Sequence, residues 1–137
     1  MFFQRVNRSD PEKVFISVKN SYSTAAITVG QVVAWDYTTD ADGVGVTRPT
    51  TALLKCTAGV VVDASIAVSE YGLIQTYGHN ADALVDGTSG LAAGGALISK
   101  NATFNFDKYS TGHSIAFCGE TYSTGAAAVK KVFLRCM

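Results

Sequence analysis

The feature that most constrains the fold of this 137-residue chain is a succession of short β-rich runs separated by glycine-containing turns. No stretch keeps a 3.6-residue hydrophobic period over successive helical turns, so the sequence predicts no long amphipathic helix. The candidate strands are residues 14–18, 31–37, 52–56, 59–62, 66–68, 73–77, 96–99, 103–106, 114–118 and 129–136. Many short strands at close spacing are typical of a β-barrel or β-sandwich.

Side-chain alternation supports several of these strands. Phe104 and Phe106 are separated by one polar residue, so a strand would place both rings on one face. Val132, Leu134 and Cys136 would likewise share one face of the last strand. Residues 80–95 are rich in Ala, Gly and Asp and predict a long loop or bulged connection, whereas residues 1 to about 12 predict an arm.

The composition indicates a chain that hides much of its surface. Charged residues make up 16% of the sequence, below the usual share of about 25%. An oligomer or a particle-bound protein would have such a composition, as would a monomer with polar loops of Ser, Thr and Asn. The formal net charge is zero, whereas DNA-binding domains usually carry a basic excess, so we expect no nucleic-acid partner.

Cellular location is constrained by what the sequence does not contain. The start of the chain has no apolar segment of the kind found in secretory signals, and the longest apolar runs are far shorter than a membrane span. We therefore expect a protein made in a cytoplasm, with no membrane partner. The sequence has three cysteines, Cys56, Cys118 and Cys136, and no CxxC motif. The odd number argues against a disulfide framework, and the missing motif argues against a structural zinc site.

Two groups of polar residues are candidates for a metal or cofactor site. His79 and His113 are far apart in sequence and have no second ligand at metal spacing, so we interpret them as turn-edge residues. Asp36, Asp40 and Asp42 resemble a calcium loop only superficially, because the EF-hand ligand order is missing. Asp also favours turns through hydrogen bonds to its own backbone. We expect no metal and no cofactor.

The sequence also predicts that the chain is not an enzyme. A Gly-x-Ser-x-Gly elbow is absent, and Cys118 and His113 would point to opposite faces of one strand. The segment 58–63 followed by Tyr71 faintly resembles the uridine-binding motif of trimeric dUTPases. The other motifs of that family are missing, so a dUTPase-like enzyme is a minor alternative.

The order of the strand starts resembles small tailed-phage capsid decoration (cement) proteins. That family shares a "G-x-V-V" strand, a "G-V-V" strand, a "G-x-I-x-x-x-G" strand, a "G-x-x-L" strand, a late "G-x-A" strand and a terminal "V-x-L". The corresponding segments here are residues 30–33, 57–62, 71–78, 94–98, 114–120 and 132–135. The resemblance spans about residues 28 to 135.

This resemblance implies an all-β fold, a small antiparallel β-barrel or β-tulip-like domain over residues 26–137, with an N-terminal arm over residues 1–25. It further implies a homotrimer that binds the major capsid protein on the outer surface of the virion and stabilises the shell. Phe2 and Phe3 would anchor the arm, and Arg5 and Arg8 would face an acidic capsid surface.

Other functions remain open from the sequence. Another virion component, such as a head-fibre base, a tail knob or a tail-tube protein, would have the same general build. A carbohydrate-binding β domain would use Trp35 and surface tyrosines.

Overall fold

The computed structural model describes residues 11–40, 42–110 and 112–136, and these form eleven β-strands. The strands are β1 (Lys13–Asn20), β2 (Ile27–Thr28), β3 (Val32–Trp35), β4 (Gly45–Thr47), β5 (Thr57–Val61), β6 (Ser65–Ile66), β7 (Tyr71–Asp86), β8 (Ala96–Ser99), β9 (Phe106–Lys108), β10 (Ala116–Cys118) and β11 (Ala127–Arg135). A six-residue 3-10 helix, Thr51–Cys56, precedes β5. No helix in these ranges has the length and apolar character needed to cross a bilayer.

The long strand β7 belongs to two closed rings of strands. The first ring runs β7, β1, β4, β3, β5 and back to β7, and the second runs β7, β11, β10, β8, β9 and back to β7. The all-β, barrel-like prediction is confirmed. The expectation of a purely antiparallel sheet needs correction, because β1–β4 and β7–β9 are parallel pairs. Since each ring contains five strands, strand direction cannot alternate all the way round, and one parallel pair per ring is required.

Each ring encloses its own hydrophobic core. The first core, inside the first ring, comprises Val18, Ile27, Val33, Val46, Ala58, Val61, Ile66 and Ile74. The second core comprises Val32, Val60, Ala83, Val85, Leu91, Leu97, Phe106, Ile115, Ala116, Cys118, Val132 and Leu134. Because burial of apolar surface is the main favourable contribution to folding, the two cores account for most of the stabilisation.

Strands β3 and β5 form a wall between the two cores. Neighbouring residues in each strand point into different cores, with Val32 and Val60 in the second core and Val33 and Val61 in the first. All four side chains have at most 1% of their surface exposed. This burial on both faces explains why these strands are continuous apolar runs rather than alternating ones.

The middle of β7 is held by the side chain of Gln75, which is 1% exposed. Its Nε2 group donates to the backbone carbonyls of Tyr77 at 3.0 Å and His79 at 2.9 Å, and its Oε1 accepts from Asn80 Nδ2 at 3.0 Å. The register between β1 and β7 shifts at this point, with Val14 opposite Tyr77 and Phe15 opposite Gln75. The Gln75 amide therefore satisfies buried polar groups where β7 passes from one ring to the other.

Close backbone packing against β7 requires glycine at Gly30, beside the carbonyl oxygen of Asp82, and at two positions near Gln75. Gly78 has a φ of +98°, and a Cβ atom there would collide with the carbonyl oxygen of Glu12. A Cβ atom on Gly59 of β5 would collide with the carbonyl oxygen of Gln75. Only glycine lets these backbones approach so closely.

The predicted N-terminal arm does not extend to residue 25. Residues 13–20 form β1, which pairs with β7 along its length and contributes Val18 to the first core. This strand includes residues 14–18, which the sequence predicts as a strand. Residues 1–10 lie outside the described residues.

Three local predictions were wrong. Residues 52–56 form the 3-10 helix rather than a strand, because Leu53 alone turns inward from that segment. Residues 80–86 continue β7 rather than forming a loop, since β11 pairs with them. Phe104 and Phe106 do not share a face: Phe104 packs edge-on against Tyr22 at 5.2 Å beside the first core, whereas Phe106 lies in the second.

We predict that Gln75→Leu, which keeps the side-chain volume but removes the amide, lowers the free energy of unfolding by about 3 kcal/mol. The two carbonyl groups and the Asn80 amide would lose buried partners, and each unsatisfied group costs about 1–3 kcal/mol. Urea denaturation followed by circular dichroism measures the change. The matched control is Gln31→Leu, which removes one exposed hydrogen bond to Thr28. Equal losses in the two variants would contradict the role assigned to Gln75.

Candidate interaction surface

Three exposed apolar side chains, Phe15, Tyr71 and Leu73, form what we call the outer stripe. They are 46%, 65% and 42% exposed. In the register of β1 and β7, Ser17 lies opposite Leu73, and Phe15 lies two pairs further along, opposite Gln75. Directly opposite residues of an antiparallel pair share a face, and so do alternate residues of one strand. The three apolar side chains therefore lie together on one face of the β1–β7 pair.

The outer stripe is exposed because neither core reaches that part of the sheet. On β1, Ile16 and Val18 turn towards the first core, so Phe15 must point the other way. The same face becomes buried only further along the sheet, at Gln75 and Val60, where the second core covers it. The stripe is thus the uncovered outer wall of the first ring.

Two lysines border the outer stripe. Lys19 lies directly opposite Tyr71, and Lys13 begins β1 two residues before Phe15. An apolar stripe rimmed by polar and charged groups is typical of a surface that contacts another macromolecule.

A second group of aromatic side chains lies on the outside of the second ring. Tyr77 and Phe133 pack edge to face at 5.4 Å, and the Arg135 guanidinium lies 4.6 Å from the centre of the Phe117 ring. These side chains already have partners within the fold. We therefore consider them less available for external contacts than the outer stripe.

The predicted contact residues Phe2, Phe3, Arg5 and Arg8 all lie outside the described residues. Their role in contacts stays a prediction. The segment that carries them leads into β1, so in sequence it ends close to Phe15.

The aspartates considered for calcium are engaged in the turn between β3 and β4. Asp36 accepts from the Thr38 hydroxyl at 2.8 Å and from the Thr39 hydroxyl. Burial raises the pKa of Asp36, but these hydrogen bonds outweigh it and lower the pKa overall. Asp40 accepts from the backbone N–H groups of Asp42 at 3.0 Å and Gly45 at 2.8 Å. Within the ranges that the structure covers, no three His, Cys, Asp or Glu side chains are placed to hold a metal ion.

The interpretation of His79 as a turn-edge residue was wrong, because His79 lies inside β7, opposite Phe133 of β11. Asp63, from the segment compared with dUTPases, accepts from the backbone N–H of Leu73 at 2.8 Å. Cys56, Cys118 and Cys136 are free thiols. Burial raises the pKa of Cys136 to about 12, so this thiol is neutral at physiological pH.

One partly buried ion pair was not predicted from the sequence. Lys100 Nζ lies 2.6 Å from Asp86 Oδ2, and Asp86 also accepts from the backbone N–H of Thr88 at 2.8 Å. The hydrogen bond from Lys100, reinforced by Thr88, lowers the pKa of Asp86 from 3.8 to about 2. The two partners are fourteen residues apart, a spacing that carries no recognisable sequence signal.

Comparison with known proteins does not place the chain in a family. No protein-family model matches it, and no curated protein matches it.

We predict that Asp86→Asn lowers the free energy of unfolding by about 1–2 kcal/mol at pH 7. Because the folded state depresses the pKa of Asp86, its stabilising effect is complete above pH 3.8 and is lost as the pH falls towards 2. The difference between wild type and variant should therefore shrink over that range in urea denaturation curves. Asp82→Asn, which removes an exposed carboxylate, is the control. A difference independent of pH would contradict this assignment.

Proposed function

We propose that this protein is a decoration protein that binds the outer surface of a phage capsid as a trimer and stabilises the shell. The outer stripe is the observation that carries the proposal, because it offers apolar contact area on a rigid, doubly paired part of the sheet. The sequential order of the strand motifs, with its resemblance to tailed-phage decoration proteins, supplies the identity of the partner.

The physical requirements of such a protein are modest. Clamping a shell needs contact area that is repeated over many sites, and it needs no chemical step. A trimer would present three outer stripes at once, so that three weak contacts combine into stable attachment. The low content of charged residues fits a chain that buries part of its surface in this way.

The rigidity of the surface also supports this role. The stripe is carried by β1 and by the first half of β7, and β7 is fixed on both sides by neighbouring strands. A preformed surface loses little conformational freedom on binding, which favours affinity. In this proposal the preceding segment, with Phe2, Phe3, Arg5 and Arg8, extends the contact from Phe15 onto the capsid or onto an adjacent subunit.

A different position on the virion is the second candidate. A head-fibre base, a tail knob or a tail-tube protein would also use an apolar sheet face to contact its neighbours. A carbohydrate-binding role is less favoured by the structure, since Trp35 packs against the first core rather than standing free. Electron micrographs that locate the protein on particles distinguish the virion positions.

We predict that the double variant Y71T/L73T binds expanded capsid shells at least tenfold more weakly than the wild type in a pelleting assay. Threonine keeps the β propensity of both positions but removes most of the apolar surface of the outer stripe. The shells are those of the phage that encodes the protein.

The control for this experiment is Y37T/V129T. It exchanges a tyrosine and an aliphatic residue that lie outside the stripe and are 53% and 54% exposed. Its binding should stay within twofold of the wild type. Failure of the wild type to bind, or an unchanged affinity of Y71T/L73T, would contradict the proposal.

A further inference from the structure

A groove runs on both sides of Lys55, the penultimate residue of the 3-10 helix, and we call it the Lys55 groove. It consists of two adjoining hollows of about 380 Å³ and about 550 Å³, and Lys55 lines both. The groove lies away from the outer stripe: no stripe residue lines either hollow.

The smaller hollow is basic. Lys55, His113 and Arg135 line it, together with Thr57, Ser114 and Cys136, and none of its lining residues is acidic. Arg135 is fixed by its stacking on Phe117 and by a 3.4 Å hydrogen bond to the carbonyl of Ser114. Within the part of the chain that the structure describes, neither Lys55 nor Arg135 forms an ion pair with a carboxylate. Two cations that have no ion-pair partner among the described residues therefore line the same hollow.

The chemistry of Cys136 is consistent with this charge. Because burial keeps its thiol neutral at physiological pH, it adds no negative charge to the hollow. The positive field of Lys55 and Arg135 is thus not offset from within the lining.

The larger hollow differs in charge and in polarity. Lys100 lines this hollow, but its charge is balanced by the ion pair with Asp86. Lys108 lines the hollow together with the acidic residue Asp107. Leu54 and Ile98 supply apolar side chains that are only partly buried. This end of the groove is suited to a small apolar side chain rather than to a further charge.

We propose that the Lys55 groove binds an extended acidic peptide segment of a partner protein. A carboxylate of the segment would lie between Lys55, His113 and Arg135, and a neighbouring apolar side chain would lie against Leu54 and Ile98. Charge complementarity selects the acidic segment, and the apolar end selects a peptide over a simple anion. A nucleic acid is disfavoured because the chain has no net positive charge to attract a polyanion. The proposal goes beyond the capsid role and does not depend on it.

Binding at this groove should be weak and sensitive to salt, because the cations are exposed to solvent. The test is a fluorescence anisotropy titration of the full chain at low ionic strength with a fluorescein-labelled peptide of alternating Glu and Leu. The same peptide with Gln in place of Glu is the uncharged probe. We expect saturable binding of the Glu peptide and at least tenfold weaker binding of the Gln peptide.

Variants locate the binding site. K55Q/R135Q should weaken binding of the Glu peptide at least tenfold, whereas K13Q/K131Q, which removes two exposed cations elsewhere, should change it less than twofold. If thermal melting shows that K55Q/R135Q is not folded, Lys55→Gln alone decides, with an expected loss of at least threefold.

Three outcomes would overturn the proposal: the Glu peptide does not bind, the Gln peptide binds as tightly as the Glu peptide, or the groove and control variants lose the same affinity for the Glu peptide. If a single-stranded oligonucleotide competes with the peptide and binds more tightly, the proposed ligand of the groove is wrong, and a nucleic acid is the better candidate.

Discussion

The hydrogen bonds of the buried Gln75 amide are the interaction on which the rest of the structure depends. They give hydrogen-bond partners to two backbone carbonyl groups of β7 where this strand leaves the first ring and enters the second. A strand can close two rings only if its backbone changes register without leaving buried polar groups unpaired. Gln75 and Asn80 meet that requirement, and Gly59 and Gly78 allow the neighbouring backbones to approach β7 at the same place.

The surfaces available for function follow from this arrangement. Because β3 and β5 separate the two cores, they are buried on both faces and present nothing to a partner. The uncovered part of the sheet is the outer wall formed by β1 and the first half of β7, and it carries Phe15, Tyr71 and Leu73. The capsid role proposed for the protein uses this wall. The Lys55 groove, at the other ring, provides a separate surface of different chemistry.

Sequence patterns predicted the fold class well but not the pairing of the strands. The limits of β8 were predicted to the residue, because Ala96–Ser99 is flanked by glycine and polar residues. The second half of β7 has the composition of a loop, since its Asn, Ala and Asp residues have low β propensity, and its pairing with β11 stabilises it as a strand. The strand 103–106 was wrongly predicted because alternation cannot show that Phe104 and Phe106 serve two different cores.

The candidate surfaces were predictable only in part. Phe15 and Leu73 were recognised as strand residues, but their exposure depends on which face each core covers, and that is a property of the ring closure. The basic hollow could not be predicted, because Lys55, His113 and Arg135 are widely separated in sequence and meet only at the rim of the second ring. Local patterns report periodicity, whereas these surfaces arise from contacts between distant segments.

The proposed capsid role is tested most directly by a cryo-electron microscopy reconstruction of expanded capsid shells saturated with the protein. We expect trimers on the outer surface, with the wall of Phe15, Tyr71 and Leu73 against the shell. Density that placed this wall towards solvent, or shells without added density, would contradict this role.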